Sequence, residues 1–121
     1  MKRSAEALGV PVLQPERLNA AAREAVAGLN AQLLVCVAYG RVFGPRFLDL
    51  FPLGGINLHP SLLPRHRGPA PIAAAILAGD SETGITVQTL ALEMDAGDIL
   101  RQVRFPLDGS ETTGSLTDRV A

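Results

Sequence analysis

The chain has 121 residues, enough for one domain or part of one, and its 47% hydrophobic and 19% charged content excludes a disordered chain. Eleven Lys and Arg against twelve Asp and Glu give a net charge of −1, so no broad basic surface for DNA or other nucleic acid is expected. A single cysteine, Cys36, excludes a disulfide framework and a cysteine-based zinc site.

The apolar runs are too short to cross a bilayer, and no apolar stretch follows the basic start Lys2-Arg3. A cytoplasmic protein without a membrane partner is therefore expected. Residues 4–8 read as a helix tail stopped by Gly9, and 10–13 as a short strand held between Gly9 and Pro15. Residues 18–29 carry Leu18, Ala22, Ala25, Val26 and Leu29 at helical spacing, with Asn19 as a candidate cap. Residues 31–39 form a continuous apolar run, the pattern of a strand buried on both faces of a parallel sheet. One or two helical turns are expected over 45–51, with Pro45 in the first turn. A strand over 56–59 follows, then a proline-rich loop and a helix over 72–78 stopped by Gly79. Strands over 85–92 and 99–105 and a helix from Thr112 complete the order. Strands alternating with helices predict an α/β domain with a mainly parallel sheet flanked by helices.

Ligands of such sheets bind beyond the carboxyl ends of the strands. Asn57 and His59 are two apart at one strand end, so both side chains face the same way and can donate to a developing oxyanion. Asp95 follows the strand predicted at 85–92, and a carboxylate beside His59 could orient a water or take a proton. On spacing alone, the commoner reading of Asn57-x-His59 is a satisfied turn, and that of Asp95-Ala96-Gly97-Asp98 a connection between strands. His66 reads as a solvated or positioning residue of the proline and arginine loop. Arg65 and Arg67 could bind an anion or simply be solvated. Cys36 reads as a buried, inert thiol. The two histidines and the aspartates show no metal-ligand spacing, so no metal is expected.

The run from Ile56 through His59-Pro60-Ser61-Leu62-Leu63-Pro64, then Arg67-Gly68 and Pro71-Ile72, closely resembles the signature of the 10-formyltetrahydrofolate-dependent formyltransferases. Gly79-Asp80-Ser81-Glu82-Thr83-Gly84-Ile85-Thr86 and Met94-Asp95-Ala96-Gly97-Asp98 extend the match. Ala38-Tyr39-Gly40 and the stretch from Arg67 to Ile72 favour the branch that formylates methionyl-tRNA over the sugar-nucleotide and glycinamide ribonucleotide branches. The resemblance implies a Rossmann-like domain. It implies transfer of a formyl group from 10-formyltetrahydrofolate, with no metal, to the α-amine of initiator methionyl-tRNA through a tetrahedral intermediate. Catalytic roles fall on Asn57, His59 and Asp95. Cofactor contacts fall on Arg41, Val42, Phe43, Leu48, Leu90 and Met94, and substrate contacts on Ser61 and Arg67. Pro60 stands where many methionyl enzymes carry glycine. The family pattern further implies that residues 1–121 are the central and C-terminal part of a catalytic domain, apparently truncated at both ends and without the C-terminal tRNA-binding barrel. The alternatives are an acceptor amine on a sugar nucleotide or glycinamide ribonucleotide, or an inactive folate-binding fragment.

Overall fold

The structure, a computed structural model, describes residues 2–121. The described residues divide into two compact units, 2–31 and 32–121. In the first, α1 spans Lys2–Ala7 and α2 spans Ala20–Ala27. The Asn19 side chain accepts from the Ala22 N–H at 3.0 Å, which starts α2 after Leu18 and contributes about 1 kcal/mol to that helix. The strand expected at 10–13 does not form. Pro11 lacks an N–H to donate to a ladder, and Val10 and Leu13 are exposed.

The second unit holds four strands and three helices. These are β1 (Leu34–Val37), α3 (Pro45–Leu48), β2 (Gly55–His59), α4 (Pro71–Leu77), β3 (Glu82–Thr89), β4 (Ile99–Pro106) and α5 (Thr113–Val120). The strand order is β1-β2-β3-β4. The α/β class stands, but the sheet is mixed rather than mainly parallel: β1 and β2 are parallel, while β2–β3 and β3–β4 are antiparallel. Strand β3 leaves the turn after α4 running back along β2, so its start lies beside the end of β2 (His59 opposite Thr86). Strand β1 lies at one side of the described sheet, and Val35 and Val37 are exposed, in contrast to the two-sided burial its composition predicts.

Four aromatic rings form a ladder that anchors the segment after β1. Tyr39 and Phe43 stack at 4.5 Å, Phe43 and Phe47 at 5.2 Å, and Phe47 and Phe51 at 5.6 Å. Helices α4 and α5 lie against each other, and Ala75 and Leu116 are fully buried. Thr112 and Ser115 close a reciprocal capping box at the start of α5.

Along β3 the polar side chains are more buried than the apolar ones. Thr83, Thr86 and Gln88 are buried, whereas Ile85 and Val87 are half-buried. Thr86 shows why. Its hydroxyl donates to the Ser61 carbonyl (2.7 Å) and accepts from the Leu63 N–H (3.1 Å) and Gln102 Nε2 (2.9 Å). This network satisfies buried backbone groups and seats the proline-rich loop on the sheet. No helix among the described residues is long and apolar enough to cross a membrane.

Candidate active site

Asn57 and His59 lie on one face of β2, as the two-residue period requires. Asp95 reaches them by an unexpected route. Because β3 runs antiparallel to β2, its carboxyl end lies at the far end from His59, where the Leu90 N–H donates to the Gly55 carbonyl (2.8 Å). Residues 90–98 then fold back over the sheet face. Asp95 adopts φ of +52°, a left-handed conformation that aspartate tolerates better than most residues, and turns its carboxylate toward β2. The loop is closed at its base by the Thr89 N–H donating to the Asp98 carbonyl (2.9 Å) and the Asp98 N–H donating to Thr89 Oγ1 (2.8 Å).

Among the described residues, the polar neighbours of the Asp95 carboxylate each present a nitrogen. The Gly68 N–H donates to Oδ2 at 2.8 Å, and Gln88 Nε2 donates to Oδ1 at 3.1 Å. Asn57 Nδ2 lies 3.4 Å from Oδ1, and His59 Nδ1 is also 3.4 Å from Oδ1. The last two are long, with room to tighten when the site closes on a reactant. His59 is 5% exposed, and its Nε2 lies 2.9 Å from the His66 carbonyl. A carbonyl only accepts, so Nε2 carries a proton and Nδ1 faces Asp95.

Gln88 was not singled out by the sequence. It lies opposite Asn57 in the β2–β3 ladder and is 2% exposed. The signal was present: a glutamine two residues from Thr86 shares its inward face, on a strand otherwise read from its apolar members. Its Nε2 holds Asp95, and its Oε1 is a buried acceptor with no partner. Such an atom beside the centre suits an N–H or O–H donor on a bound reactant or water.

The other expected residues divide into two groups. Arg41 and Val42 are exposed in the segment after β1, Leu48 is half-buried on α3, and Met94 is exposed in the 90–98 loop. The Phe43 ring is buried in the aromatic ladder, and half-buried Leu90 covers Gly55. Arg67 is exposed. Ser61 lies inside the proline-rich loop. It is fully buried, and its hydroxyl donates to the Arg65 carbonyl at 2.7 Å, so it shapes the loop from within. Cys36 is buried beside Asn57 on the neighbouring strand, and burial pushes its thiol up, as an inert thiol requires.

An α/β domain that gathers an amide, an imidazole and a carboxylate on one sheet face, with no activated nucleophile among them, is built for direct group transfer or proton transfer at a polar carbon. The family described as formyl transferase matches residues 3–121, and the chain belongs to it. A methionyl-tRNA formyltransferase of Treponema pallidum is 62% identical over 107 residues, covering 88% of this chain and 34% of that protein. One from Akkermansia muciniphila is 48% identical, covering 100% of this chain and 39% of that protein. Among solved structures, phosphoribosylglycinamide formyltransferase from Bacillus halodurans superposes with a TM-score of 0.84 at 28% identity, covering 98% of this chain and 65% of that one. The chain thus spans between a third and two fifths of the length of these two curated relatives.

Proposed function

We propose that this chain carries the reaction centre for moving a formyl group from 10-formyltetrahydrofolate to the α-amine of initiator methionyl-tRNA, in the cytoplasm. The observation that supports it most is the convergence of Asn57, His59 and Gln88 on the Asp95 carboxylate. In this reading Asn57, whose amide nitrogen carries a second proton beyond the one facing Asp95, donates to the formyl oxygen as negative charge grows there. His59, with Nε2–H held by the His66 carbonyl, exchanges a proton at Nδ1. Asp95 faces that nitrogen and, as the amine nitrogen bonds to the formyl carbon, accepts the proton that amine loses, directly or through one water; the carbon–N10 bond then breaks and the proton passes to the leaving N10. The unpartnered Gln88 Oε1 is an acceptor for an amine N–H or that water.

The donor would lie between two walls. The segment of Arg41, Val42 and Phe43 and the side chain of Leu48 would form one wall, and Leu90 and Met94 the other. The Phe43 ring, held in the ladder, leaves its backbone to meet the ligand. Arg67, exposed at the rim, is suited to the phosphates of the acceptor. The higher identity to methionyl-tRNA formyltransferases than to the glycinamide ribonucleotide enzymes favours the tRNA acceptor.

The test offers the protein that carries this chain one labelled formyl donor and three acceptors: methionyl-tRNA, glycinamide ribonucleotide and an amino-sugar nucleotide. Label should appear on methionyl-tRNA alone. Transfer to either other amine would overturn the acceptor, and transfer to none would overturn the activity.

A further inference from the structure

Apart from the centre itself, the second half of the chain holds a compact cluster of charged and titratable side chains: Arg65, His66 and Asp80. Asp80 lies just beyond the end of α4, where its N–H donates to the Ala75 carbonyl at 3.1 Å. A carboxylate there meets the negative end of the helix dipole, and this one is also 6% exposed, so its position is unfavourable without partners. Two are supplied by the proline-rich loop. Arg65 Nη2 donates to Oδ1 at 2.5 Å, and His66 Nε2 donates to Oδ2 at 2.6 Å. The His66 ring, aided by Arg65, holds the Asp80 carboxyl below the usual carboxylate range.

The segment gripped in this way is the one whose backbone touches both catalytic side chains. His66 adopts φ of +55°, which is strained for a residue with a Cβ and needs support from its surroundings. That conformation accompanies the placement of the His66 carbonyl 2.9 Å from His59 Nε2. The Arg65 carbonyl takes the Ser61 hydroxyl. Two residues after His66, the Gly68 N–H meets Asp95 Oδ2 at 2.8 Å.

We propose that Asp80 is a positioning residue for the reaction: by gripping Arg65 and His66 it holds residues 65–68 so that the His66 carbonyl keeps the proton of His59 on Nε2 and the Gly68 N–H keeps Asp95 turned toward β2. The kinetic half of this proposal rests on the reading of His59 and Asp95 as transfer residues. The geometric half does not. Without the grip, the left-handed turn at His66 relaxes, its carbonyl moves off Nε2, and the imidazole exchanges between tautomers. Nδ1 then no longer faces Asp95 in a single protonation pattern.

The experiment compares the parent protein with Asp80→Ala, Asp80→Asn and His66→Gly, using two readouts. The first is the pair of His59 ring nitrogens, followed by long-range proton–nitrogen correlation in labelled protein. The second is steady-state transfer to methionyl-tRNA. The parent should show one tautomer with Nε2 protonated, and Asp80→Ala should show averaged ring signals. Its kcat should fall about ten- to a hundredfold, with KM for the formyl donor within about twofold of the parent. Asp80→Asn keeps an oxygen for the His66 ring and should recover much of both. His66→Gly accepts the positive φ but removes the His66 half of the grip, so it carries the same two readouts if Asp80→Ala does not fold. Unchanged ring signals and kcat beside a lowered melting temperature would overturn the proposal and leave Asp80 a purely structural residue. A parent protein that transfers no formyl group would sink the functional reading instead, while the ring signals still decide whether Asp80 governs His59.

Discussion

Replacing Asp95 with asparagine is expected to lower single-turnover formyl transfer about a thousandfold, within the range that loss of a positioned proton-transfer group produces. Asparagine is the informative substitution. It fits the φ of +52° as well as aspartate does, so the 90–98 loop keeps its path. It also keeps one oxygen for Gly68 or Gln88, while removing the negative charge opposite His59 Nδ1. The new amide N–H₂ faces other donors, and this mismatch should cost about 1–3 kcal/mol, read as a melting point roughly 5–10 °C lower. Alanine at the same position would mix loss of charge with backbone strain and orphaned donors. A variant that stays folded and transfers at more than about a tenth of the parent rate would remove Asp95 from the chemistry.

Gly97→Ala is expected to be the most damaging single methyl group in the site. A Cβ at Gly97 would overlap the Thr89 carbonyl, a backbone group that cannot swing aside, and would crowd the Thr89 hydroxyl that accepts from the Asp98 N–H. Relief requires opening the base of the loop that carries Asp95. Overpacking against fixed backbone in this way should cost about 3 kcal/mol or more, measured by urea unfolding, with transfer falling in parallel because Asp95 moves with the loop. Gly44→Ala is the control. Gly44 has open space around its would-be Cβ and φ of −73°, so its substitution should stay within about 0.5 kcal/mol. Equal stability of the two variants would mean that the loop is not clamped at Thr89.

Much of the site could be read in the residues because its geometry is local. The two-residue period of a strand fixes Asn57 and His59 on one face without any knowledge of neighbours. Asn19 and Thr112 announce their helices by cap chemistry that acts within three residues. Asp95 is offered by its place after the strand predicted at 85–92 and made specific by the family resemblance, but its route to β2 depends on the direction of β3. Nothing local encodes that direction. The residues between His59 and Glu82 are numerous enough for a parallel crossover, and α4 lies among them, yet β3 returns antiparallel. Gln88 meets Asp95 through the loop after β3, and Asp80 pairs with Arg65 and His66, which stand 15 and 14 residues before it, so neither pairing is encoded locally. The strand expected at 10–13 failed for a local reason that was visible, the proline at position 11.

In the proposed function, residues 41–43, 48 and 90–94 enclose a formyl donor beside Asn57, His59 and Asp95. Calorimetric titration of the folded chain with a stable 10-formyltetrahydrofolate analogue tests this most directly. Saturable binding of one analogue per chain is expected. A chain that is demonstrably folded yet gives no saturable heat would contradict it.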